Sequence, residues 1–228
     1  MDKNIIIRLE EDKDRIAVEE LTREAFYNLY VPGCDEHYLV HIMRDHPDFM
    51  PELAFVAELD GRIVGNIMYT HSHLEGENET RIETLSFGPL CVHPDFQREG
   101  IGTALIEHTK ALAIAKGYPA ILILGDPHNY VKHGFKNGRD CNIAYTDGSF
   151  PLGLLALEIK EGFFNTLREQ KTPWRLCQSP VYSFDPKESE AWDATLPPKE
   201  KKWKFSQELF SMQIRATVGG VNPFLAEE

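Results

Sequence analysis

Apolar and polar positions change period several times along the 228 residues, and each change marks an element. The run "NIIIRL" (4–9) is apolar without interruption, the pattern of a short buried strand. In "EEDKDRIAVEELTREAFYNLY" the residues Ile16, Leu21, Ala25, Phe26 and Leu29 recur at mostly helical spacing, and Pro32 and Gly33 end that helix. A second helix is expected from Asp35, a residue suited to the N-cap, through "EHYLVHIMRDH" as far as Pro47. "LAFVAELDGRIVGNIMYTHSHLEG" then holds two strand-like runs around Asp60-Gly61, a two-residue hairpin signal. A polar turn, "EGENE", leads to "TRIETLSFGPLCV", so three antiparallel strands follow one another.

The period changes again at "QREGIG" (97–102). Beyond it Ala104, Leu105, His108, Leu112 and Ala115 fall on or near one helical face, and Gly117 stands at the C-terminal end. "AILILG" is a continuous apolar run of the kind covered on both faces, and "LGLLALEI" reads as one more strand. Strand, helix, strand in that order places a parallel pair inside a mainly antiparallel sheet. The expected class is therefore α/β in the mixed α+β sense, a mostly antiparallel central sheet flanked by helices. From about Lys160 the periodicity dissolves into charges, prolines and tryptophans, which divides the chain into 1–160 and a C-terminal extension or small subdomain, 161–228. Trp174, Trp192 and Trp203 argue that the extension docks on the core.

Composition narrows the partners. The net charge of -12 disfavours a nucleic-acid or anionic membrane surface and attracts cationic small molecules over distance. Four scattered cysteines without a CxxC pair fit a reduced intracellular protein. With no signal-like start and no long apolar stretch, the expected location is the cytoplasm, with no membrane span.

The glycine loop between an apparent strand and an apparent helix is where backbone approaches a ligand closely, or where a tight connection is simply needed. A phosphate-binding P-loop requires a lysine that is missing here, since Gly102 is followed by Thr103-Ala104. The dinucleotide fingerprint requires a third glycine where Leu105 stands. A different pyrophosphate binder and a plain connection both remain open on these residues alone.

"VHPDFQREGIGTALIEHTKALA" resembles the signature of the GCN5-related N-acetyltransferase (GNAT) superfamily, Q/R-x-x-G-x-G/A, with Gln97, Gly100 and Gly102 in the specified places. A second match, "NYVKHGF", resembles the family's Y-x-x-x-G-F element, with Tyr130, Gly134 and Phe135. Together with "GRIVGNIMY" the pattern is similar to the bacterial YhbS-type group, over roughly residues 4 to 159. The resemblance implies a GNAT fold and acetyl-CoA as cosubstrate, with the pyrophosphate in the loop of Arg98, Glu99, Gly100, Ile101, Gly102 and Thr103. It also implies pantetheine along Leu90, Cys91 and Val92, and Asn129 beside the coenzyme. A helix N-terminus offers directed N–H donors and the positive end of a dipole to such a group.

The implied reaction is direct acetyl transfer to a primary amine of a small molecule or peptide, with Tyr130 as general acid and a β-strand N–H near Cys91 or Val92 for the oxyanion. The general base stays open between Glu83 acting through water, which lies a few residues before the family's usual position near Ser86, His71 or His73 on the preceding strand, and no base at all for an amine of low pKa. His71 and His73, on one strand face, and His37, Tyr38 and His41, on the second helix, are expected to meet the substrate. No metal is expected, because His37 and His41 find no further ligands at suitable spacing. The alternative is a non-catalytic acyl-CoA-binding module that signals through the extension, and the same segment leaves room for a homodimer.

Overall fold

A computed structural model describes residues 4–220, so residues 1–3 and 221–228 of the two expected segments lie outside the described residues. The chain begins with β1 (Ile5–Leu9), α1 (Arg15–Phe26) and α2 (Glu36–Met43). The hairpin β2 (Phe55–Leu59) and β3 (Arg62–Glu75) turns at Asp60-Gly61, both at positive φ (49° and 78°). β4 (Arg81–Val92), α3 (Ile101–Ala115) and β5 (Ala120–Leu124) follow, then the single turn α4 (Pro127–Tyr130). The remainder comprises β6 (Lys136–Asn137), β7 (Ile143–Ala144), β8 (Leu154–Glu158), α5 (Phe163–Arg168), β9 (Trp174–Cys177), α6 (Pro186–Asp193) and α7 (Phe205–Arg215).

The main sheet runs β1-β2-β3-β4-β5-β8-β6 and is antiparallel except between β4 and β5. β3 is 14 residues long and its partner β2 only five, so part of its edge is bare. The segment Asp48–Met50 bonds to Tyr69–His71 of that edge, β9 pairs with His73–Glu75, and β7 lies parallel to β9. Edge backbone is thereby satisfied within the chain.

Alternation along the strands sorts the core into two faces. Ile67, Tyr69, Leu85 and Phe87 pack with Leu105 and Ile106 of α3 on one side. Val56 and Met68 pack with Val18, Val40 and Met43 of α1 and α2 on the other. On α3 the buried stripe is Ile101, Leu105, Ile106, Thr109 and Ala113. This corrects the expected face: Ala104, His108 and Ala115 are exposed, because Thr109 turns inward to meet the Tyr69 hydroxyl at 2.9 Å.

The extension is not a separate body. Phe163, Phe164, Leu167, Trp174 and Leu176 complete a third cluster with Leu122 and Leu154 of the main sheet. Residues beyond Cys177 lie over α1 and α2, with Val181 in the cluster they form. Trp174 is buried and Trp192 packs on His37 and His41, whereas Trp203 is 69% exposed and does not dock as expected.

Candidate active site

The site begins with an irregularity in β4. Between the pairs Ile67↔Leu90 and Tyr69↔Phe87, Met68 alone stands opposite the two residues Gly88 and Pro89. Such a bulge bends its strand and ends regular pairing. On its other edge β4 meets β5 through the single register pair Leu85↔Ile121, and beyond it the two strands part. The His93 N–H donates to the Val64 carbonyl at 2.9 Å. In an antiparallel ladder such paired residues alternate, so Cys91 engages β3 while the peptide groups of Leu90 and Val92 point into the gap. The Val92 carbonyl agrees: it accepts from Gln97 Nε2 at 3.1 Å.

Gln97 thus ties the glycine loop to the end of β4. Arg98 (φ 66°) and Gly100 (φ 87°) both take left-handed backbone, and Gly100 caps α3. Arg98, Glu99 and Thr103 are exposed, and Ile101 is buried beneath the loop. First-turn amides of Ile101, Gly102 and Thr103 have no carbonyl in their own helix to donate to. A Cβ on Gly102 would meet nothing nearer than Val92 Cγ2, at 3.7 Å. Neither packing nor backbone angle therefore requires glycine there, and its absent side chain leaves the helix N-terminus open to close approach.

Tyr130, on α4, lies at the base of the gap. Its ring packs on Phe87 (5.7 Å) and edge-on to Phe135 (5.7 Å). Gly125 makes room for it, since a Cβ there would come within 2.6 Å of the ring. Burial, with Tyr30 and Asp126 adding, pushes the phenol above its ordinary value of 10, so it stays protonated. Asn129 is exposed on the same turn.

On the opposite face of β4 the bulge aligns Ser86, Gly88 and Cys91 toward α1 and α2. The Cys91 sulfur is 3.6 Å from Thr22 Oγ1, and burial pushes its thiol up to about 12. Tyr182, hydrogen-bonded to Thr70 at 3.1 Å, lies 3.7 Å from where a Gly88 Cβ would be. Two residues absent from the sequence reading belong here. Tyr30 follows α1, with its phenol pushed up to about 12 by burial, Glu36 and Asp126. Glu36 opens α2, and burial raises its carboxyl from 4.5 to about 7. Neither falls in a family motif; the only signal was a glutamate at a helix start, which usually serves the dipole.

Glu83 is exposed and forms an ion pair with Arg81 at 2.6 Å. It lies four residues before Phe87, about 13 Å along an extended strand, and is not brought to Tyr130. His73 is its cross-strand neighbour, and His71 faces Tyr118 at 3.5 Å, so both histidines share that distant end of the sheet. His37 is 0% exposed, its ring between Cys34 Sγ (3.2 Å) and Asp193 Oδ1 (3.0 Å), and burial lowers its pKa. This corrects its substrate role: both nitrogens are engaged inside the protein. Tyr38 and His41 likewise turn to the extension and to α1, through Glu188 (3.4 Å), Trp192 and Glu19 (3.0 Å).

Among the described residues, one group could hold a metal: His73, Glu75 and Cys177 present ligand atoms within 4.8 Å of one another, at the β3–β9 junction. It lies with Glu83, outside the gap. No helix among the described residues is long and apolar enough to cross a membrane.

The fold is shared with coenzyme A-binding acetyltransferases. Escherichia coli YhbS, a GNAT family N-acetyltransferase solved in complex with CoA, superposes with a TM-score of 0.67 at 18% identity, over 81% of this chain and 94% of that one. A GNAT family acetyltransferase from Brucella melitensis, in complex with acetyl-CoA, gives 0.59 at 23% identity, over 79% and 99%. Residues 51–137, from the approach to β2 through β6, match the model of the acetyltransferase (GNAT) domain. In sequence it is 26% identical to the uncharacterized N-acetyltransferase YhbS of E. coli, over 69% of this chain and 92% of that protein. It is 29% identical to the uncharacterized N-acetyltransferase YjhQ of E. coli over 43% of this chain, a match spanning only 54% of YjhQ.

Proposed function

We propose that this protein transfers the acetyl group of acetyl-CoA directly to a primary amine. The observation that carries the reading is the gap between β4 and β5. It combines in-facing peptide groups of Leu90 and Val92, a helix N-terminus at Gly102 and a protonated Tyr130.

Each residue has a task. The N–H groups of Ile101, Gly102 and Thr103 bind the pyrophosphate, and Gln97 holds the loop in place. The peptide edges of Leu90 and Val92 align the pantetheine arm as an added strand, and one of their N–H groups stabilises the oxyanion as the amine attacks. Tyr130 gives its phenolic proton to the departing sulfur. Cys91 takes no part as a nucleophile, because a thiol raised to about 12 offers almost no thiolate at neutral pH. Fixing both reactants in one gap supplies the remaining advantage, of proximity.

Titration calorimetry with acetyl-CoA tests the binding half: wild type binds, and a Gly100→Trp/Gly102→Trp double variant that retains its circular dichroism spectrum does not. Tyr130→Phe tests the chemistry. It is expected to keep coenzyme affinity and lose about 10²- to 10⁴-fold in kcat against a primary-amine panel. A wild-type rate no higher than the Phe variant's, with binding intact, would favour a coenzyme-binding module without catalysis.

A further inference from the structure

The first strand of the extension meets the core at a place that gathers metal-binding side chains. β9 pairs with β3 with Cys177 directly opposite His73, Leu176 opposite Leu74 and Arg175 opposite Glu75. Cross-strand partners share a face of the sheet, and residues two apart on one strand share it too, so His73, Glu75 and Cys177 stand together. The alternation agrees, because Leu74 and Leu176 turn to the other face and are fully buried.

The side chains complete what the backbone begins. His73 Nε2 lies 3.4 Å from Glu75 Oε1, and the ligand atoms of all three residues fall within 4.8 Å of one another. Around zinc, two bonds of about 2.0 Å at a tetrahedral angle hold their donor atoms about 3.3 Å apart, and a sulfur about 2.3 Å from the ion stands about 3.5 Å from each of them. The nitrogen and the oxygen are thus already at ligand spacing. Drawing in the sulfur takes at most about 1.3 Å, which side chains alone can supply.

A cavity of about 150 Å³ gives an ion its way in, lined by His73 and Cys177 together with His71, Asp48, Ser179 and Arg81. It has room for a water in a fourth coordination position. Cys177 is the one cysteine of the four that is not buried. The charge of Arg81 is balanced by Glu83, the β4 neighbour of His73, at 2.6 Å. A carboxylate and a thiolate together balance a double positive charge.

We propose that His73, Glu75 and Cys177 bind a thiophilic divalent cation of the zinc class, with water as the fourth ligand, and that the ion clamps the extension to the core sheet. Sulfur and imidazole select such an ion over Mg²⁺ or Ca²⁺, which prefer oxygen shells. On binding, the Cys177 thiol gives its proton to solvent as the sulfur–metal bond forms, and no electron changes hands. The clamp sits at the root of the segment that carries Tyr182 to its hydrogen bond with Thr70, at 3.1 Å beside the β4 bulge. It lies outside the coenzyme gap and takes no part in acetyl transfer, so failure of either proposal leaves the other standing.

The test uses the full, reduced chain with Co²⁺ and Zn²⁺ as probes. A single equivalent of Co²⁺ is expected to bind with the charge-transfer absorption of a cobalt–thiolate bond, and Zn²⁺ to displace it, whereas excess Mg²⁺ does not. Cys177→Ser is expected to abolish that absorption. His73→Gln and Glu75→Gln are each expected to weaken Zn²⁺ affinity by at least about 10- to 100-fold, the loss that follows when only an outer hydrogen-bond partner of a ligand is removed. All three replacements are close in size to the residues they replace, and circular dichroism checks that each variant is folded. His41→Gln, on α2 and outside the cluster, should leave the affinity unchanged. As a readout of the clamp itself, hydrogen exchange at residues 174–182 should slow when Zn²⁺ is added to wild type and not when it is added to Cys177→Ser. Absence of a cobalt–thiolate band, a Zn²⁺ affinity that the three substitutions leave intact, an equal loss in His41→Gln, or exchange at 174–182 that ignores Zn²⁺ each overturns the proposal.

Discussion

Tyr130 and Glu36 are shifted in the same direction by the same cause, burial, yet with opposite consequences for charge. The phenol is neutral at physiological pH whether buried or not, so its shift costs the fold nothing there. The carboxyl would be ionised in water, and its shift has a stability sign that can be worked out. Because its folded pKa of about 7 lies above the unfolded 4.5, Glu36 costs nothing below about pH 4.5. Its stability contribution is lost as pH rises through 7. Glu36→Gln is therefore expected to be more stable than wild type by up to about 3 kcal/mol at about pH 8, with little difference at about pH 4. Thermal unfolding at the two pH values measures it, and equal melting temperatures at the higher pH would show that the carboxyl is solvated.

At the scale of elements, one buried carboxylate of α6 holds both α1 and α2. Asp193 accepts from Arg23 Nε at 2.9 Å and from His37 Nε2 at 3.0 Å, and Trp192 packs on the imidazole. Removing it leaves a buried guanidinium without its counter-ion, so Asp193→Ala is expected to cost about 3–5 kcal/mol, read by denaturant unfolding. Asp193→Asn, which keeps an acceptor, should cost less. None of this was legible in the sequence, where His37 read as a substrate residue: the partner is 156 positions away and α6 shows no strong period. What was legible rests on local pattern. The hairpin at Asp60-Gly61, the three successive antiparallel strands, α3 and the parallel β5 each follow from spacing and turn residues within a few positions. Gln97, Gly100, Gly102 and Tyr130 were visible for the same reason, as short motifs at a strand end. Tyr30 and Phe210 were not, because they meet only through tertiary packing. The long β3 also hid a partner: nothing in "WRLC" (174–177) announces that it fills the edge β2 leaves bare.

The whole molecule carries a net charge of -12, and the two ligands of the proposed reaction, a cationic amine and a polyanionic coenzyme, carry opposite charges. A cationic amine is drawn by this field, whereas the polyanionic coenzyme must approach against it. In the proposed reading, local donors, the α3 N-terminus and the exposed Arg98, offset the repulsion at close range. Salt screens distant charges beyond about 10 Å at roughly 0.1 M and leaves contacts inside the gap nearly untouched. Raising ionic strength is therefore expected to lower kcat/KM for a small cationic amine and to raise the association rate of acetyl-CoA, with kcat unchanged in both cases. Stopped-flow binding of the coenzyme and steady-state kinetics of the amine, each over the same salt series, separate the two effects. A neutral-bodied acceptor whose kcat/KM did not respond to salt would place recognition in short-range contacts alone. Parallel responses of amine and coenzyme would mean that global charge does not steer either one.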